Sequence, residues 1–239
     1  MPSSRIATCL LAVATIALLV LGADASQAAG AKPVDAKPAV SSQAPVLDTD
    51  YFVIENAPPP TGTKVQVVEV FGYGCPICAA FQPHLADWEK TMPADVQFSY
   101  LPAAFGPDPE HCWDDFARAF YAAQAMGVQA KSHDSIYKAK FEQFRIATCE
   151  AIPSVYADYG IDPKRFASTM QSFPVTVQLG KAHDQALRWG VDGTPMMVVD
   201  GKYRVALTRA GGAAGMLHTV DWLIARQRPL HAASHARKH

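Results

Sequence analysis

A pair of cysteines two residues apart, placed between a strand-like run and a helix-like run, constrains this chain more than any other feature. The run Val65 to Phe71, VQVVEVF, consists mainly of β-branched and aromatic residues and predicts a buried strand. The motif Cys75-Pro76-Ile77-Cys78 follows shortly after, and its proline suits the first turn of a helix. The sequence therefore predicts a strand, a tight turn and a helix whose first turn carries both thiols.

Thiols at the start of a helix are suited to redox chemistry. Free backbone N–H groups and the helix dipole stabilise a thiolate, so Cys75 is expected to be the exposed nucleophile with a lowered pKa. Cys78, one turn further, is expected to be the buried resolving thiol, and Pro76 and Ile77 form the dipeptide between them. A structural disulfide and half of a zinc site are the alternatives. Zinc needs two more ligands, and no second Cys-x-x-Cys or His-x-x-x-His pair stands nearby, so redox chemistry is favoured and no metal ligand is predicted.

A second candidate site residue is Pro195, which stands just before the strand-like run Met196 to Val199. Proline within a sheet is tolerated at an edge or at the start of a strand. A cis bond between Thr194 and Pro195 would expose the backbone of Thr194 for pairing with an extended substrate segment, whereas an ordinary turn proline is the alternative. Combined with the cysteine motif, the sequence favours a substrate-binding loop at Thr194 and Pro195.

The patterns of strands and helices predict an α/β fold with an inserted all-helical domain. Strand-like runs at 51–54, 65–71 and 96–101 precede the insertion, and two more flank the hairpin signal Asp200-Gly201 after it. Between these groups only helical patterns occur, at 112–126, 131–146, 151–159, 163–171 and 174–189. We therefore assign residues 47–104 and 180–228 to the two parts of the α/β domain and residues 105–179 to the helical insertion.

Both ends of the chain are predicted to lie outside the folded region. After Arg5, the run Ile6 to Leu21 carries no charge but is shorter than the about 20 residues of a membrane span, so residues 1–25 predict a cleaved signal peptide and export to the periplasm. Cleavage after Ala28 is equally compatible with the sequence. Residues 26–46, rich in Ala, Pro and Ser, predict a flexible linker, and residues 229–239 a disordered tail with three solvated histidines.

In combination, these motifs resemble the thioredoxin superfamily and, within it, the DsbA family of periplasmic dithiol oxidases. The resemblance implies a thioredoxin fold interrupted by the helical domain, and a protein that donates its Cys75-Cys78 disulfide to unfolded or reduced secreted proteins through a mixed disulfide. It also implies reoxidation by a DsbB-like membrane quinone reductase, without a separable cofactor. The stretches that carry it are Val68-Glu69-Val70-Phe71 before the cysteines, Met126-Gly127-Val128, Gly190-Val191-x-Gly193-Thr194-Pro195 and Val199-Asp200-Gly201-Lys202-Tyr203.

The same resemblance assigns a role to Glu69, which matches a buried acid beneath the family's active site. A carboxylate in an apolar strand is costly, so Glu69 is expected to handle protons at Cys78 or to pair with a neighbouring base. Family members often carry a lysine on the next strand, where Ser99 occupies the matching region of this chain. The dipeptide is Pro-Ile rather than Pro-His, which removes one donor to the Cys75 thiolate and predicts a less extreme oxidant.

Cys112 and Cys149 remain in the helical block, while Cys9 lies within the predicted signal peptide. In an oxidising compartment two such cysteines are expected to form a structural disulfide, with a second redox relay as the alternative. Closing a loop of about 38 residues stabilises the fold by ~4 kcal/mol in the chain-entropy model.

The net charge of the chain and its predicted domain organisation argue against some other functions. With 21 Lys and Arg against 22 Asp and Glu, the chain has no positive field for nucleic acid. A reductase or isomerase of the same superfamily is the nearest alternative function. An isomerase would need an N-terminal dimerisation domain, whereas the sequence predicts a linker there. We expect a monomer. A periplasmic copper- or zinc-binding module, using the cysteine pair and the tail histidines, is a rival from another class.

Overall fold

The computed structural model describes residues 43–59, 62–208 and 211–236. The signal peptide predicted at 1–25 lies outside these residues, and so does the linker predicted at 26–46 except for its last four positions. Within the described ranges, none of the helices combines the length and the apolar character that crossing a bilayer requires.

In the part of the chain that the structure describes, five strands form one mixed sheet: β1 Phe52–Val53, β2 Val65–Phe71, β3 Val96–Pro102, β4 Met196–Val199 and β5 Tyr203–Ala206. They lie in the order β1-β5-β4-β2-β3. β2 pairs in parallel with β3 and antiparallel with β4, and β5 is antiparallel to both β4 and β1. The strands that the sequence places before and after the helical insertion therefore meet in one sheet.

β2 is the strand that leads to the cysteines. Its Val65, Val67, Val70 and Phe71 are almost completely buried, as a continuous β-branched run predicts for a strand covered on both faces. Because β2 and β3 are parallel, the chain must cross over between them, and the helix that follows Cys75 makes this crossover. The first turn of that helix consequently lies beyond the carboxyl end of β2.

The described residues also contain seven α-helices, and between β3 and β4 they contain helices but no strand. The α/β class with a helical insertion is thus confirmed. A π-helical turn at Lys138–Glu142 directly follows the α-helix that ends at Tyr137, and short 3₁₀ turns occur at Cys149–Ala151 and Tyr156–Tyr159. The α-helices are α1 Pro76–Thr91, α2 Trp113–Ala125, α3 Gln129–Tyr137, α4 Ile152–Val155, α5 Pro163–Met170, α6 Phe173–Arg188 and α7 Gly212–Ala236.

The helix predicted at 131–146 is shorter in the structure. The regular α-helix ends at Tyr137, the π-helical turn occupies Lys138–Glu142, and Phe144 adopts a positive φ of 53°. A left-handed residue cannot continue a right-handed helix, so the backbone turns away there. The apolar periodicity of this segment gives no signal for either feature.

The disordered tail predicted from residue 229 is wrong as far as residue 236. Helix α7 continues to Ala236 with Pro229 inside it. His231 keeps only 3% of its surface exposed, and its ring nitrogens lie within hydrogen-bond distance of the carbonyl oxygen of Gly62, at 3.1 Å, and of the carboxylate of Asp200, at 2.9 Å. These long-range bonds hold the helix end against the β4–β5 turn. They also engage His231, so the solvated histidine of the prediction is corrected, whereas His239 lies outside the described residues.

Candidate active site

Cys75 occupies the N-cap position of α1, at the junction predicted from the sequence. Its backbone is extended, with φ −92° and ψ 114°, and the backbone N–H of Cys78 donates to its Sγ at 3.3 Å. The N–H of Cys75 in turn donates to the carbonyl of Gly72 at 3.0 Å, which closes the turn between β2 and α1. Pro76 follows at the first helical position, where its missing N–H leaves no bond unmade. The helix N-terminus therefore directs a backbone donor at the first sulfur.

The two cysteines are free thiols and differ in accessibility. Cys78 has no exposed surface, whereas Cys75 keeps 7%. Cys75 is thus more buried than the exposed nucleophile that the sequence predicts, because the loop at Thr194 packs against its sulfur. Ile77, between them, is 52% exposed and presents an apolar surface beside the accessible thiol.

The surroundings of the two cysteines give their thiols very different pKa values. Hydrogen bonding from the Cys78 thiol, together with the backbone N–H groups of Cys78 and Ile77, lowers the pKa of Cys75 to about 6 against the opposing effect of burial. Burial raises the pKa of Cys78 far above its usual range, and the neighbouring Cys75 raises it further. Near neutral pH the reduced pair therefore carries a thiolate on Cys75 and a thiol on Cys78.

The loop before β4 lies directly beside Cys75. The peptide bond between Thr194 and Pro195 is cis, and the Cys75 thiol donates to the Thr194 carbonyl at 3.4 Å. The Thr194 Oγ1 is buried and has no hydrogen-bond partner among the residues that the structure describes. The fold thus brings Thr194 and Pro195 to the cysteines, as the sequence predicts.

Glu69 lies on β2 beneath the cysteines and has no exposed surface. Burial raises its pKa to about 8, so the carboxyl group carries a proton at neutral pH, although a hydrogen bond from Gln82 acts in the opposite direction. The Nε2 of Gln82 donates to the two carboxyl oxygens at 3.2 and 3.4 Å. The sequence prediction missed Gln82, yet it stands four residues after Cys78 and therefore on the same face of α1.

The residue opposite Glu69 on the next strand is Tyr100, and not Ser99. The parallel register pairs Ser99 with Val68 and Tyr100 with Glu69, so Ser99, which we matched to the region where the family often carries a lysine, lies one residue before the position opposite Glu69. The Tyr100 hydroxyl donates to Glu89 on α1 at 2.7 Å. Side chains of adjacent strand residues point to opposite faces, which puts Ser99 on the wrong face of the sheet to contact Glu69.

A tyrosine–histidine bond links the active-site turn to the helical insertion. The Tyr73 hydroxyl and His133 Nδ1 on α3 are 2.9 Å apart, and both side chains are buried. Burial lowers the pKa of His133 to about 4, so the imidazole is neutral at pH 7. The sequence prediction missed this pair because nothing in the spacing of the two residues relates them.

Two glycines allow the helical insertion to approach the active-site turn. A Cβ on Gly74 would lie 2.0 Å from the His111 carbonyl oxygen, and one on Gly72 would lie 2.2 Å from the Trp113 ring. Cys112, between these two contacts, forms a disulfide with Cys149, with 5.6 Å between their Cα atoms. The predicted pairing is present, and it fastens the segment that packs on the turn before Cys75.

The site is equipped for thiol–disulfide exchange. It contains one stabilised thiolate, one buried thiol, a buried acid with a raised pKa, and a backbone carbonyl at the reactive sulfur. Among residues 43–59, 62–208 and 211–236, no three His, Cys, Asp or Glu side chains cluster in a way that could hold a metal ion.

A family model described as a DSBA-like thioredoxin domain matches residues 66–216. The thiol:disulfide interchange protein DsbA of Pseudomonas aeruginosa is 39% identical over 166 residues, which cover 69% of this chain and 77% of the relative. The protein of the same name from Bordetella parapertussis is 33% identical over 225 residues, or 92% of this chain and 97% of the relative.

Solved structures show the same similarity. The crystal structure of the oxidoreductase DsbA from Xylella fastidiosa has a TM-score of 0.72 and 35% identity, and the match covers 78% of this chain and 100% of that chain. Pseudomonas aeruginosa DsbA has a TM-score of 0.69 and 35% identity, with 80% and 97% covered. In both cases the match covers about four fifths of this chain.

Proposed function

Because this chain belongs to the family of DsbA-like thioredoxin-domain proteins and is a thiol-disulfide oxidoreductase, we propose that it works as an oxidase. In this function it donates the Cys75–Cys78 disulfide to unfolded or reduced secreted proteins. The observation that carries the proposal is the difference between the pKa values of the two thiols: that of Cys75 is lowered and that of Cys78 is raised.

A stabilised Cys75 thiolate favours the reduced state of the pair. The thiolate exists only after the disulfide has been opened, so every hydrogen bond to it stabilises the product of reduction. The Cys78 N–H at 3.3 Å is such a bond, and the Thr194 carbonyl at 3.4 Å is where the neutral thiol donates. A pair whose reduced form is stabilised releases its disulfide readily to another dithiol, which is the property of an oxidant.

The reaction proceeds by two exchanges. A substrate thiolate attacks Cys75 Sγ, a substrate–Cys75 disulfide forms, the Cys75–Cys78 bond breaks, and the electron pair passes to Cys78. A second substrate thiolate then attacks the substrate sulfur of the mixed disulfide and releases Cys75 as a thiolate. The substrate loses two electrons and two protons and gains one disulfide, while the cysteine pair gains the two electrons.

Glu69 serves the first exchange as the acid that protonates the leaving Cys78. With a pKa of about 8 it is protonated at neutral pH. A charge on Glu69 would raise the pKa of Cys78, so the two groups interact electrostatically. Without a proton donor, the buried Cys78 would have to leave as an unpaired charge in an apolar site, which is costly. Burial of both groups thus supports proton transfer between them.

The surface around Cys75 suits an extended substrate chain that is bound without selection for a particular sequence. Ile77 presents an exposed apolar side chain, and the Thr194–Pro195 loop brings a backbone carbonyl to the reactive sulfur. Backbone recognition is independent of sequence, which matches a substrate class as broad as unfolded secreted proteins. Both features support Thr194 and Pro195 as the substrate-binding loop.

The cellular setting completes the proposal. The signal peptide at 1–25 directs the chain to the periplasm, and the protein works as a monomer without a separable cofactor. A DsbB-like membrane quinone reductase restores the disulfide after each turnover. The Cys112–Cys149 disulfide has a structural role, since Cys112 is buried in the core of the helical segment.

Equilibration in glutathione buffers, followed by thiol trapping and peptide mapping, tests the direction of the reaction. We expect a Cys75–Cys78 potential more oxidising than about −200 mV, whereas a value near −270 mV is typical of a reductase and would contradict the proposal. The same maps report Cys112–Cys149 separately, and this disulfide should stay oxidised across the range. Stoichiometric metal on Cys75 and Cys78 in protein purified without chelator would favour the metal-binding module instead.

A further inference from the structure

Tyr73 carries the only side chain of the turn that leads from β2 to Cys75. The N–H of Cys75 donates to the carbonyl of Gly72 at 3.0 Å, so the four residues from Gly72 to Cys75 close one turn. Both neighbours of Tyr73 are glycines, which have no side chain to pack against the rest of the protein. The side-chain contacts that hold this turn before Cys75 are therefore those of Tyr73.

The polar contact of Tyr73 is with the helical insertion. Its ring is buried, and its hydroxyl lies 2.9 Å from Nδ1 of His133 on α3. Among the residues that the structure describes, this hydroxyl has no other hydrogen-bond partner. Burial lowers the pKa of His133 to about 4, so the imidazole is neutral at pH 7 and one of its nitrogens is an acceptor. Because Nδ1 is the only acceptor within its reach, the Tyr73 hydroxyl donates to it.

The imidazole of His133 is otherwise surrounded by aromatic rings. Its Nε2 is buried and has no hydrogen-bond partner in the described part of the chain. Burying an imidazole in such a place with one nitrogen unbonded is costly. What the imidazole adds over an apolar side chain of similar size is therefore the acceptor for Tyr73. The surrounding rings, at centroid distances of 4.3 to 5.7 Å, are those of Phe71, Tyr73, Tyr100 and Tyr137.

We propose that His133 is a positioning residue for the exchange at Cys75. By accepting the hydrogen bond of Tyr73, it fixes the turn between β2 and α1 and so orients Cys75 Sγ towards the N–H of Cys78, 3.3 Å away. The helical insertion acts on the reactive sulfur through this bond. The inference goes beyond the proposed function, because it applies to thiol–disulfide exchange in either direction.

The position of the turn matters because the donors to Cys75 belong to the next element. The N–H groups of Ile77 and Cys78 lie in the first turn of α1 and lower the pKa of Cys75. A displaced turn changes the distance between the sulfur and these donors. The thiolate is the state that accepts such bonds most strongly, so the displacement destabilises the reduced pair more than the disulfide. Loss of the Tyr73–His133 bond should therefore raise the pKa of Cys75 and lower the potential of the pair.

Titration of the Cys75 thiolate in the reduced full-length protein, followed by its absorbance near 240 nm, tests the proposal. Tyr73→Phe removes the hydroxyl but keeps the ring, and His133→Leu removes the acceptor. Each should raise the midpoint by about one pH unit. Because both substitutions break the same bond, the double variant should show a rise no larger than that of either single variant.

Two further variants separate positioning from a merely structural role. In His133→Asn the side-chain oxygen can take the place of Nδ1 as acceptor, so this variant should keep most of the original midpoint. Ile224→Ala is the control for lost packing. Ile224 is buried on α7, in a core cluster that contains neither Tyr73 nor the two cysteines. This variant should unfold at lower urea concentration and leave the midpoint unchanged.

Equilibration with glutathione gives a second readout. In Tyr73→Phe and His133→Leu the equilibrium constant for oxidising glutathione should fall up to tenfold, which corresponds to about 30 mV. An unchanged midpoint in Tyr73→Phe would overturn the proposal, even if His133→Leu does not fold. Equal rises in His133→Asn and His133→Leu would also overturn it, as would a double variant whose rise is the sum of the single rises. A wild-type potential in the reductase range would contradict the oxidase proposal and leave these comparisons standing, so the two failures are distinguishable.

Discussion

The carbonyl oxygen of Thr194 lies 3.4 Å from Cys75 Sγ, although 119 residues separate them in the chain. This contact joins the two halves of the α/β domain across the whole helical insertion. It places a hydrogen-bond acceptor at the sulfur that is attacked by substrate, and it accounts for the small exposed surface of Cys75. The reactive sulfur is therefore framed by two elements that the fold must bring together correctly, the first turn of α1 and the loop before β4.

Gly74→Ala should damage both stability and activity. The added Cβ would meet the His111 carbonyl oxygen at 2.0 Å, and backbone on both sides of the contact would have to move. We expect a loss of about 2–4 kcal/mol in the free energy of unfolding, measured in urea, and slower oxidation of a reduced substrate. Gly180→Ala on α6, where an added Cβ meets nothing within 4 Å, is the control and should be neutral or stabilising. Equal stability of the two variants would contradict this packing.

The double variant Cys112→Ala, Cys149→Ala should lower the free energy of unfolding by ~4 kcal/mol, because the unfolded chain regains the entropy of an open loop. The measurement is urea unfolding of the variant and the wild type in the same redox buffer. If the disulfide is purely structural, the Cys75–Cys78 potential should stay the same. A changed potential with unchanged stability would instead support the redox relay.

Glu69→Gln should stabilise the reduced protein at alkaline pH and have little effect at low pH. The folded pKa of about 8 lies above the ordinary 4.5, so between these values the folded state holds a proton that the unfolded state has lost. Stability contributed by the protonated group is complete below pH 4.5 and is lost as the pH rises towards 8. The variant should gain about 4 kcal/mol at pH 8, and urea unfolding at pH 4.5 and 8 measures the difference. An equal effect at both pH values would show that Glu69 is not buried as a neutral acid.

The sequence predicted those parts of the fold that depend on local patterns. The run Val65 to Phe71 and the position of Pro76 place the cysteines at a strand–helix junction without any tertiary information, and Asp200-Gly201 predicts the late hairpin. The loop at Thr194 and Pro195 was predicted from the position of a proline before a strand together with the cysteine motif.

The features that the sequence did not reveal depend on contacts between distant residues. His231 is buried because it bonds to Asp200 and to Gly62, and nothing in the composition of the tail indicates these partners. Ser99 was matched wrongly because the strand register could not be read from the sequence. A shift of one residue along a strand moves the side chain to the opposite face of the sheet. Gln82 was within reach of prediction, because a helix places it below Cys78 on the same face.

The most direct test of the central claim is titration of the Cys75 thiolate in the reduced protein, followed by its absorbance near 240 nm, with Cys75→Ser as the blank. The hydrogen bonds at the start of α1 should hold the midpoint at about pH 6, and the Cys78 thiol should not titrate in the same range. A midpoint near that of a free thiol, about 8.5, would mean that the thiolate is not stabilised, and the proposed driving force for oxidation would be absent.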